Sequence, residues 1–295
     1  MYLRVSISVL IGIKDSNPSI INCDLYSIFV KICYEMKIKL FQVDAFTKNL
    51  FGGNPAAICP LDEWLPDSLL QNIAMENNLA ETAFFINSGN GFHIRWFTPN
   101  TEVNLCGHAT LASAHIIFTE YNFPGNEITF DSRSGKLTVR KDLNLLTLNF
   151  PADILQKVSL SHQLVVALGS TPVEAYRGKE DYLLVYDTQD QIERIRPDFR
   201  KLADVEARGI IVTAKGKEYD FVSRFFAPAF AIDEDPVTGS AHTSLTTYWS
   251  AKLGKTELTA MQLSKRKGYL LCKNLGSRIE ISGEAKSYLR GEIEI

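Results

Sequence analysis

The 295-residue chain has few cysteines and no excess of positive charge. Its five cysteines are odd in number, widely scattered and without a Cys-x-x-Cys pair, which argues against a disulfide framework and a zinc knuckle. The chain has 31 Lys and Arg residues and 34 Asp and Glu residues, so no basic surface for nucleic acid is expected. We therefore expect a reducing, cytoplasmic location and no nucleic-acid partner.

Long uninterrupted hydrophobic runs are also absent from the sequence. Two short apolar stretches, 5–13 and 28–33, are separated by charged residues and are too short to span a membrane. We expect no transmembrane segment and no membrane partner. A clear strand pattern starts after Met36, so residues 1–36 are predicted to be an extension outside the fold or the product of an upstream start.

The sequence does contain one composite pattern twice. Each copy is a strand ending in Arg-aromatic-Phe-x-Pro, then a loop, then a glycine that opens a run of small residues, at 95–109 and at 224–241. Such a composite pattern indicates an internal duplication, and two units of about 130 residues fit the chain length better than one core. We predict halves over residues 37–150 and 151–295, with strand exchange at their ends blurring this boundary.

Strand and helix signals predict an α+β fold in both halves. In the first half, a helix is expected after Pro66, and strands are expected at 40–46, 56–59, 82–86 and 92–97. In the second half, a helix is expected around 198–202, and strands are expected at 164–168, 174–176, 182–186, 209–212 and 221–226. A strand pair is predicted to close each half, 136–141 with 145–150 and 269–273 with 278–281.

The segments that begin at Gly107 and Gly239 are almost free of charged residues. An exposed helix would carry a charged face, whereas small residues on all sides permit close approach of neighbouring backbone. We therefore expect two pseudo-symmetric domains, each a strongly curved mixed β-sheet wrapped around its own central helix. Unpaired N–H groups at the two facing helix starts attract an anion, which predicts a cleft for a small carboxylate or phosphate.

Side chains beside the two helix starts are the candidates for chemistry, namely Cys106, His108, Asp235, Thr238 and Ser240. Glu81 is a further candidate because it stands at the edge of an apolar strand. A carboxylate that loses its hydration there has a raised pKa, in the range useful for proton transfer. Spacing alone leaves open the alternative that Glu81 is a solvated residue at a strand end.

Other polar residues have simpler interpretations. Arg95 and Arg224 either bind an anion or brace the central helices, and the sequence does not choose between these roles. Glu102 and Glu234, at matching places in the two loops, are expected to cap those loops. Cys106, taken alone, is expected to be a packed small residue.

No cofactor is indicated by the motifs. The cysteine and histidines at 106, 108, 115 and 242 lack the spacing of a metal site, so no metal is expected. The Gly52-Gly53 pair is followed by neither Lys-Ser/Thr nor a G-x-G-x-x-G pattern, so no nucleotide is expected either.

Several of these motifs together resemble the phenazine-biosynthesis PhzF-like isomerase family, a branch of the diaminopimelate epimerase fold. The resemblance runs from about Lys37 to the C-terminus and includes, in order, 44–46, 53–56, 80–82, 95–99, 106–110 and 234–240. It implies that Glu81 is the acid/base. It also implies that His108, Asp235 and Ser240 hold the substrate, beside the helix starts at Gly107 and Gly239.

The reaction implied by the resemblance is a cofactor-independent isomerisation of a small unsaturated amino or hydroxy carboxylic acid, by a homodimer. Epimerases of this fold place a thiol before each repeated glycine, whereas here Thr238 stands where the second thiol would be. Racemisation by two thiols is therefore not expected. A Glu81-centred epimerase, and a non-catalytic interaction protein on the same fold, remain the alternatives.

Overall fold

The computed structural model describes residues 4–8 and 31–295 of the chain. The first two strands, β1 (Arg4–Ser8) and β2 (Lys31–Glu35), pair with each other in a separate two-stranded sheet. Much of the expected N-terminal extension, residues 1–3 and 9–30, lies outside the described residues. All other strands belong to one continuous, closed sheet.

The first half contains eight strands and two helices. These are β3 (Lys37–Ala45), β4 (Asn54–Leu61), α1 (Asp67–Asn77), β5 (Glu81–Asn87), β6 (Phe92–Phe97), β7 (Glu102–Val103), α2 (Gly107–Glu120), β8 (Glu127–Ser132), β9 (Gly135–Asp142) and β10 (Leu145–Pro151).

The remaining elements follow β10 along the chain. They are β11 (Gln156–Lys157), α3 (His162–Leu168), β12 (Glu174–Arg177), β13 (Asp181–Val185), α4 (Gln189–Arg194), α5 (Phe199–Ala203), β14 (Gly209–Lys215), β15 (Phe221–Phe226), a 3-10 turn (Pro228–Phe230), α6 (Ala241–Leu253), β16 (Glu257–Gln262), β17 (Gly268–Asn274), β18 (Arg278–Gly283) and β19 (Ala285–Glu294). Among the described residues, no helix combines the length and apolar character needed to cross a membrane.

The order of strand pairing is the same in both halves, in agreement with the duplicated sequence pattern. From β3 through β4, β5, β6, β8 and β9 to β10, successive pairs are antiparallel, parallel, antiparallel, parallel, antiparallel and antiparallel. The series from β12 through β13, β14, β15, β16 and β17 to β18 has the same six orientations.

Strands at the ends of the two halves tie them together. The last strands of the two series, β10 and β18, pair antiparallel with Leu148 opposite Ile281, and Thr147 and Ser282 share a 2.8 Å hydroxyl hydrogen bond. After β18 the chain returns to the first half, where β19 pairs with β3. The expected strand exchange is therefore present. The domain boundary near residue 150 stays a prediction.

The two small-residue helices lie inside the sheets. Most residues of α2 are buried, and α2 contacts β3, β4, β5 and β10. Its buried hydroxyls are satisfied within the helix, because Thr110 donates to the Cys106 carbonyl and Ser113 donates to the Ala109 carbonyl. Helix α6 packs in the same manner against β16, β17 and β18. The predicted α+β architecture, a curved mixed sheet around each central helix, is confirmed.

One local prediction is wrong, and several elements after residue 36 have no counterpart in the prediction. Residues 164–168, expected as a strand, form helix α3, because the short apolar run is compatible with either structure and Gly169 ends it with a left-handed φ of 63°. Helix α4 is not predicted, although Thr188 and Gln191 form the capping box that marks its start. The unpredicted strands are β7, β8, β11, β16 and β19.

Leu111 provides a test of the buried helix α2. Its side chain is 0% exposed, and Leu111→Ala is expected to lower the free energy of unfolding by about 2–5 kcal/mol through lost burial and a residual cavity. Urea unfolding measures this change. The matched control is Ile154→Ala at an exposed position, expected to change the stability by less than about 0.5 kcal/mol. Equal effects of the two substitutions would contradict the placement of α2.

Candidate active site

Glu81 is the first residue of β5, which lies between β4 and β6 in the sheet. Its side chain is only 13% exposed, so the structure does not support the alternative of a solvated strand-end carboxylate. Burial, with a further contribution from the negative charge of Asp235, raises the pKa of Glu81 to about 8, and a hydrogen bond with the Cys106 thiol opposes this rise. The carboxyl group is therefore poised to exchange a proton near neutral pH.

His108 stands opposite Glu81, on the first turn of α2. Its Nε2 lies 3.2 Å from Glu81 Oε2, and its Nδ1 lies 3.3 Å from Asn54 Nδ2 and 3.5 Å from Cys106 Sγ. Burial lowers the pKa of His108 to about 3, so its imidazole is neutral at physiological pH. A neutral imidazole can donate or accept a hydrogen bond without adding charge to the site.

Asp235 is held by donors from both halves of the molecule. Asn54 Nδ2 donates to Asp235 Oδ1 over 2.7 Å, and the Thr238 hydroxyl donates to Oδ2. Gln262 Nε2 donates to the Asp235 backbone carbonyl over 2.8 Å. Burial raises the pKa of Asp235 to about 6, while the hydrogen bonds from Thr238 and Asn54 favour its charged form. Asp235 is therefore mostly ionised at neutral pH, and its negative charge contributes to the raised pKa of Glu81.

Asn54 reaches this network because of the tight turn before it. Gly53 has a φ of 62°, and an added Cβ would lie 2.1 Å from the Ala45 carbonyl oxygen, so a side chain does not fit there. The turn is clamped by Arg266 of the second half, which donates to the carbonyls of Gly52 and Gly53 and pairs with buried Asp44. The amide of Asn54 consequently crosses to Asp235 in the other half.

The two repeated glycines meet, as the duplication predicted, although α6 itself begins two residues later than predicted, at Ala241. A Cβ added to Gly107 would lie 3.8 Å from the Cα of Gly239, and the reverse distance is the same. Phe150 packs against Gly107, and Phe46 packs against Gly239. The small residues thus bring the two helix N-termini to one place, where a bound anion would be favoured by both.

Ser240 is the N-cap residue of α6, and a residue that the sequence did not single out fixes its hydroxyl. Arg208 Nη1 donates to Ser240 Oγ over 3.1 Å, while the same guanidinium makes a two-pronged ion pair with Asp181. Because the Ser240 oxygen accepts from Arg208, its own hydrogen is free to point elsewhere. The pair therefore supplies a hydroxyl donor beside the second helix start.

The two matching arginines brace loops. Arg95 forms a two-pronged pair with Glu102, and Arg224 forms the same pair with Glu234. Arg224 also donates to two carbonyls near the end of α4, those of Ile192 and Ile195. Both arginines therefore brace loops rather than the central helices that the sequence suggested, and Glu102 and Glu234 are their ion-pair partners.

The structure thus brings together the residues proposed from the sequence, namely Glu81, Gly107, His108, Asp235, Gly239 and Ser240. Sequence reasoning missed Asn54, Arg208 and Gln262 as site residues. Asn54 had a signal, because it follows the Gly-Gly turn in one of the family-like motifs. Gln262 had none, since it lies at the end of the unpredicted strand β16.

The raised pKa of Glu81 has a consequence for stability. Its ordinary value of 4.5 applies to the unfolded chain and about 8 to the folded one, so folding becomes less favourable as the pH rises through this window. Glu81→Gln removes this dependence. Within this window, the free energy of unfolding of the variant is expected to rise relative to that of the wild type by at most about 1.4 kcal/mol per pH unit. Urea unfolding at several pH values measures this, and a constant difference between the proteins would contradict the buried, proton-binding Glu81.

Comparison with known proteins assigns the chain to a family. A family model described as phenazine biosynthesis-like protein matches residues 43–291. A Pseudomonas aeruginosa protein described as an uncharacterized isomerase is 48% identical over 260 residues, 88% of this chain and 100% of the relative. The crystal structure of a PhzF-family phenazine biosynthesis protein from Enterococcus faecalis has a TM-score of 0.86 at 42% identity, covering 88% of this chain and 100% of that one.

A more distant structure has the same fold. It is a predicted epimerase from Pseudomonas aeruginosa with a TM-score of 0.67 and 17% identity, covering 87% of this chain and 99% of that one. The duplicated α+β architecture, the meeting of the two helix starts and these matches lead to one conclusion: the chain belongs to the phenazine biosynthesis-like (PhzF) family.

Proposed function

We propose that the protein is a cofactor-independent isomerase that moves a proton on a small unsaturated amino or hydroxy carboxylic acid. Glu81 is the general acid/base. The observation that carries this proposal is the buried Glu81 carboxyl group, 3.2 Å from the His108 imidazole at the meeting point of the two halves. The naming of a relative 48% identical as an isomerase supports the same reaction class.

Proton transfer by Glu81 follows from its environment. In its ionised form, the carboxylate takes a proton from a carbon atom activated by the neighbouring double bonds of the substrate. The electrons of the broken C–H bond move into that conjugated system, and the protonated Glu81 returns the proton at another carbon. A pKa of about 8 suits both halves of this cycle, since the protonated form of Glu81 predominates near neutral pH while a smaller ionised fraction remains to take the first proton.

The remaining site residues bind the substrate. Neutral His108 offers hydrogen bonding next to Glu81, and the ionised Asp235 accepts from an amino or hydroxyl group of the substrate. The substrate carboxylate is placed at the helix starts, where backbone N–H groups and the hydroxyl of Ser240 donate to it.

Isomerisation is favoured over epimerisation by the asymmetry of the two helix starts. Inversion at one carbon requires proton delivery to the face opposite the base that removed the proton. In the second half, Thr238 replaces the thiol that would perform this step, and its hydroxyl is already donated to Asp235. A single base, Glu81, is suited to proton return on the same face of the substrate.

The proposal includes the location and the oligomeric state. We propose a cytoplasmic enzyme because the scattered cysteines indicate a reducing compartment, and we propose a homodimer because of the family resemblance. Light scattering at micromolar protein concentration tests the oligomeric state, and a monomer would remove the homodimer from the proposal.

Deuterium uptake from heavy water tests the role of Glu81. A panel of small unsaturated amino and hydroxy acids, including 2,3-dihydro-3-hydroxyanthranilate, is incubated with each protein and analysed by mass spectrometry and chiral chromatography. The wild type is expected to exchange hydrogen with at least one acid, and Glu81→Gln is expected to lower that rate by about 100-fold or more.

The control is Glu127→Gln, which removes an exposed carboxylate with the same chemistry and is expected to keep the wild-type rate. Full activity of Glu81→Gln would exclude Glu81 as the acid/base. If the folded wild type exchanges nothing in the panel, the non-catalytic interaction protein becomes the better interpretation. An inverted centre in the product would favour the epimerase.

The pH profile gives a second test once a substrate is found. Because Glu81 must be ionised to remove a proton, kcat/KM is expected to rise by about tenfold per pH unit below the pKa of about 8 and to level off above it. Initial rates over a series of pH values measure this profile. A rate that is already level at pH values well below 8 would show that the titrating group is not Glu81.

A further inference from the structure

Three donor side chains of different chemistry meet in the site. Among the described residues, a carboxylate oxygen of Glu81, the Cys106 sulfur and an imidazole nitrogen of His108 all lie within 4.8 Å of one another. They come from the start of β5, the residue before α2 and the first turn of α2. Sequence spacing did not indicate this group, because Glu81 lies on another element.

The separations in this group are those of a tetrahedral ion site. Zinc binds imidazole nitrogen and carboxylate oxygen at about 2.0 Å each, so two such ligands at the tetrahedral angle lie about 3.3 Å apart. His108 Nε2 and Glu81 Oε2 are 3.2 Å apart. The Cys106 sulfur, within 4.8 Å of a Glu81 carboxylate oxygen and of an imidazole nitrogen, offers the third ligand, which leaves the fourth position to water or substrate.

Unsatisfied polar atoms point to a ligand at this place. His108 is 5% exposed, yet within the described part of the chain its Nε2 has no hydrogen-bond partner, and the facing Glu81 Oε2 has none either. Their 3.2 Å separation lacks the alignment of a hydrogen bond. Buried polar atoms without partners are uncommon in folded proteins, and a metal ion or a substrate group is one way to satisfy them.

We propose that Glu81, Cys106 and His108 form a binding site for a thiophilic divalent cation of the zinc class, and that the bound cation blocks Glu81. The inhibition rests on the proposed function, whereas the binding does not. Sulfur, nitrogen and carboxylate ligands select this class over magnesium or calcium, which prefer oxygen alone. Binding replaces the S–H bond of Cys106 and the O–H bond of protonated Glu81 by bonds to the metal, the released protons pass to water, and no electron is transferred.

Cobalt(II) titration of the metal-free, full-length protein tests the site, because a thiolate bound to cobalt gives a charge-transfer absorption in the near ultraviolet. The wild type is expected to show this band, and added zinc is expected to abolish it by displacement. Cys106→Ser is expected to lose the band. His108→Gln is expected to weaken cobalt binding by about tenfold or more.

Control variants separate this thiol from three of the four other thiols in the chain. Cys272→Ala removes a buried thiol elsewhere, and the double variant Cys23→Ser/Cys33→Ser removes two thiols near the N-terminus; both are expected to keep the band. Circular dichroism confirms that each variant is folded. A band that persists in folded Cys106→Ser, or a folded wild type without a band at millimolar cobalt, would overturn the proposal.

Zinc inhibition of deuterium exchange links the site to the proposed function. Inhibition at the zinc concentration that displaces cobalt is expected, and unchanged exchange by the zinc-saturated protein would overturn the blocking of Glu81. The two proposals fail separately. A cobalt band from Cys106 in a protein that exchanges no substrate hydrogen contradicts the isomerase alone, and exchange without a cobalt band contradicts the metal site alone.

Discussion

The antiparallel pairing of β10 with β18 is the constraint on which the rest of the molecule depends. It joins the last strands of the two equivalent series, through cross-strand pairs that include Leu148 opposite Ile281. The central helices are fixed inside their own sheets, so this pairing also sets the position of each helix relative to the other. Phe150, on β10, packs directly against Gly107. The position of the site therefore follows from how the curved sheet of one half joins that of the other.

Closing the sheets places two carboxyl groups in a poorly hydrated space, and the structure treats them differently. Asp235 receives hydrogen bonds from Asn54 and Thr238, which favour its charged form against the cost of burial. Glu81 has the Cys106 thiol and faces the charge of Asp235, so its proton is held more tightly. Unequal hydrogen bonding thus gives two neighbouring carboxyl groups different protonation states at one pH.

The two halves share the ion pairs that brace their loops, but they differ in the side chains that they place in the site. Arg95 with Glu102 and Arg224 with Glu234 are equivalent braces in the two halves. In contrast, β5 begins with Glu81, whereas its counterpart β14 begins directly after Arg208, which binds Ser240. The proposed acid/base on one side and a positioned hydroxyl donor on the other suit a reaction in which the substrate is bound in one orientation.

Four features could be predicted from the sequence: the duplication, the α+β class, the two buried helices and the residues around their starts. These features depend on local patterns, such as the charge-free run after Gly107 and the repeated Arg-aromatic motif. The three-dimensional structure was needed to show that α3 is a helix, that β19 returns to β3, and which groups face Glu81. Gln262 and Arg208 reach the site through strand pairing between segments far apart in the chain, and that pairing leaves no mark in the spacing of residues along the sequence.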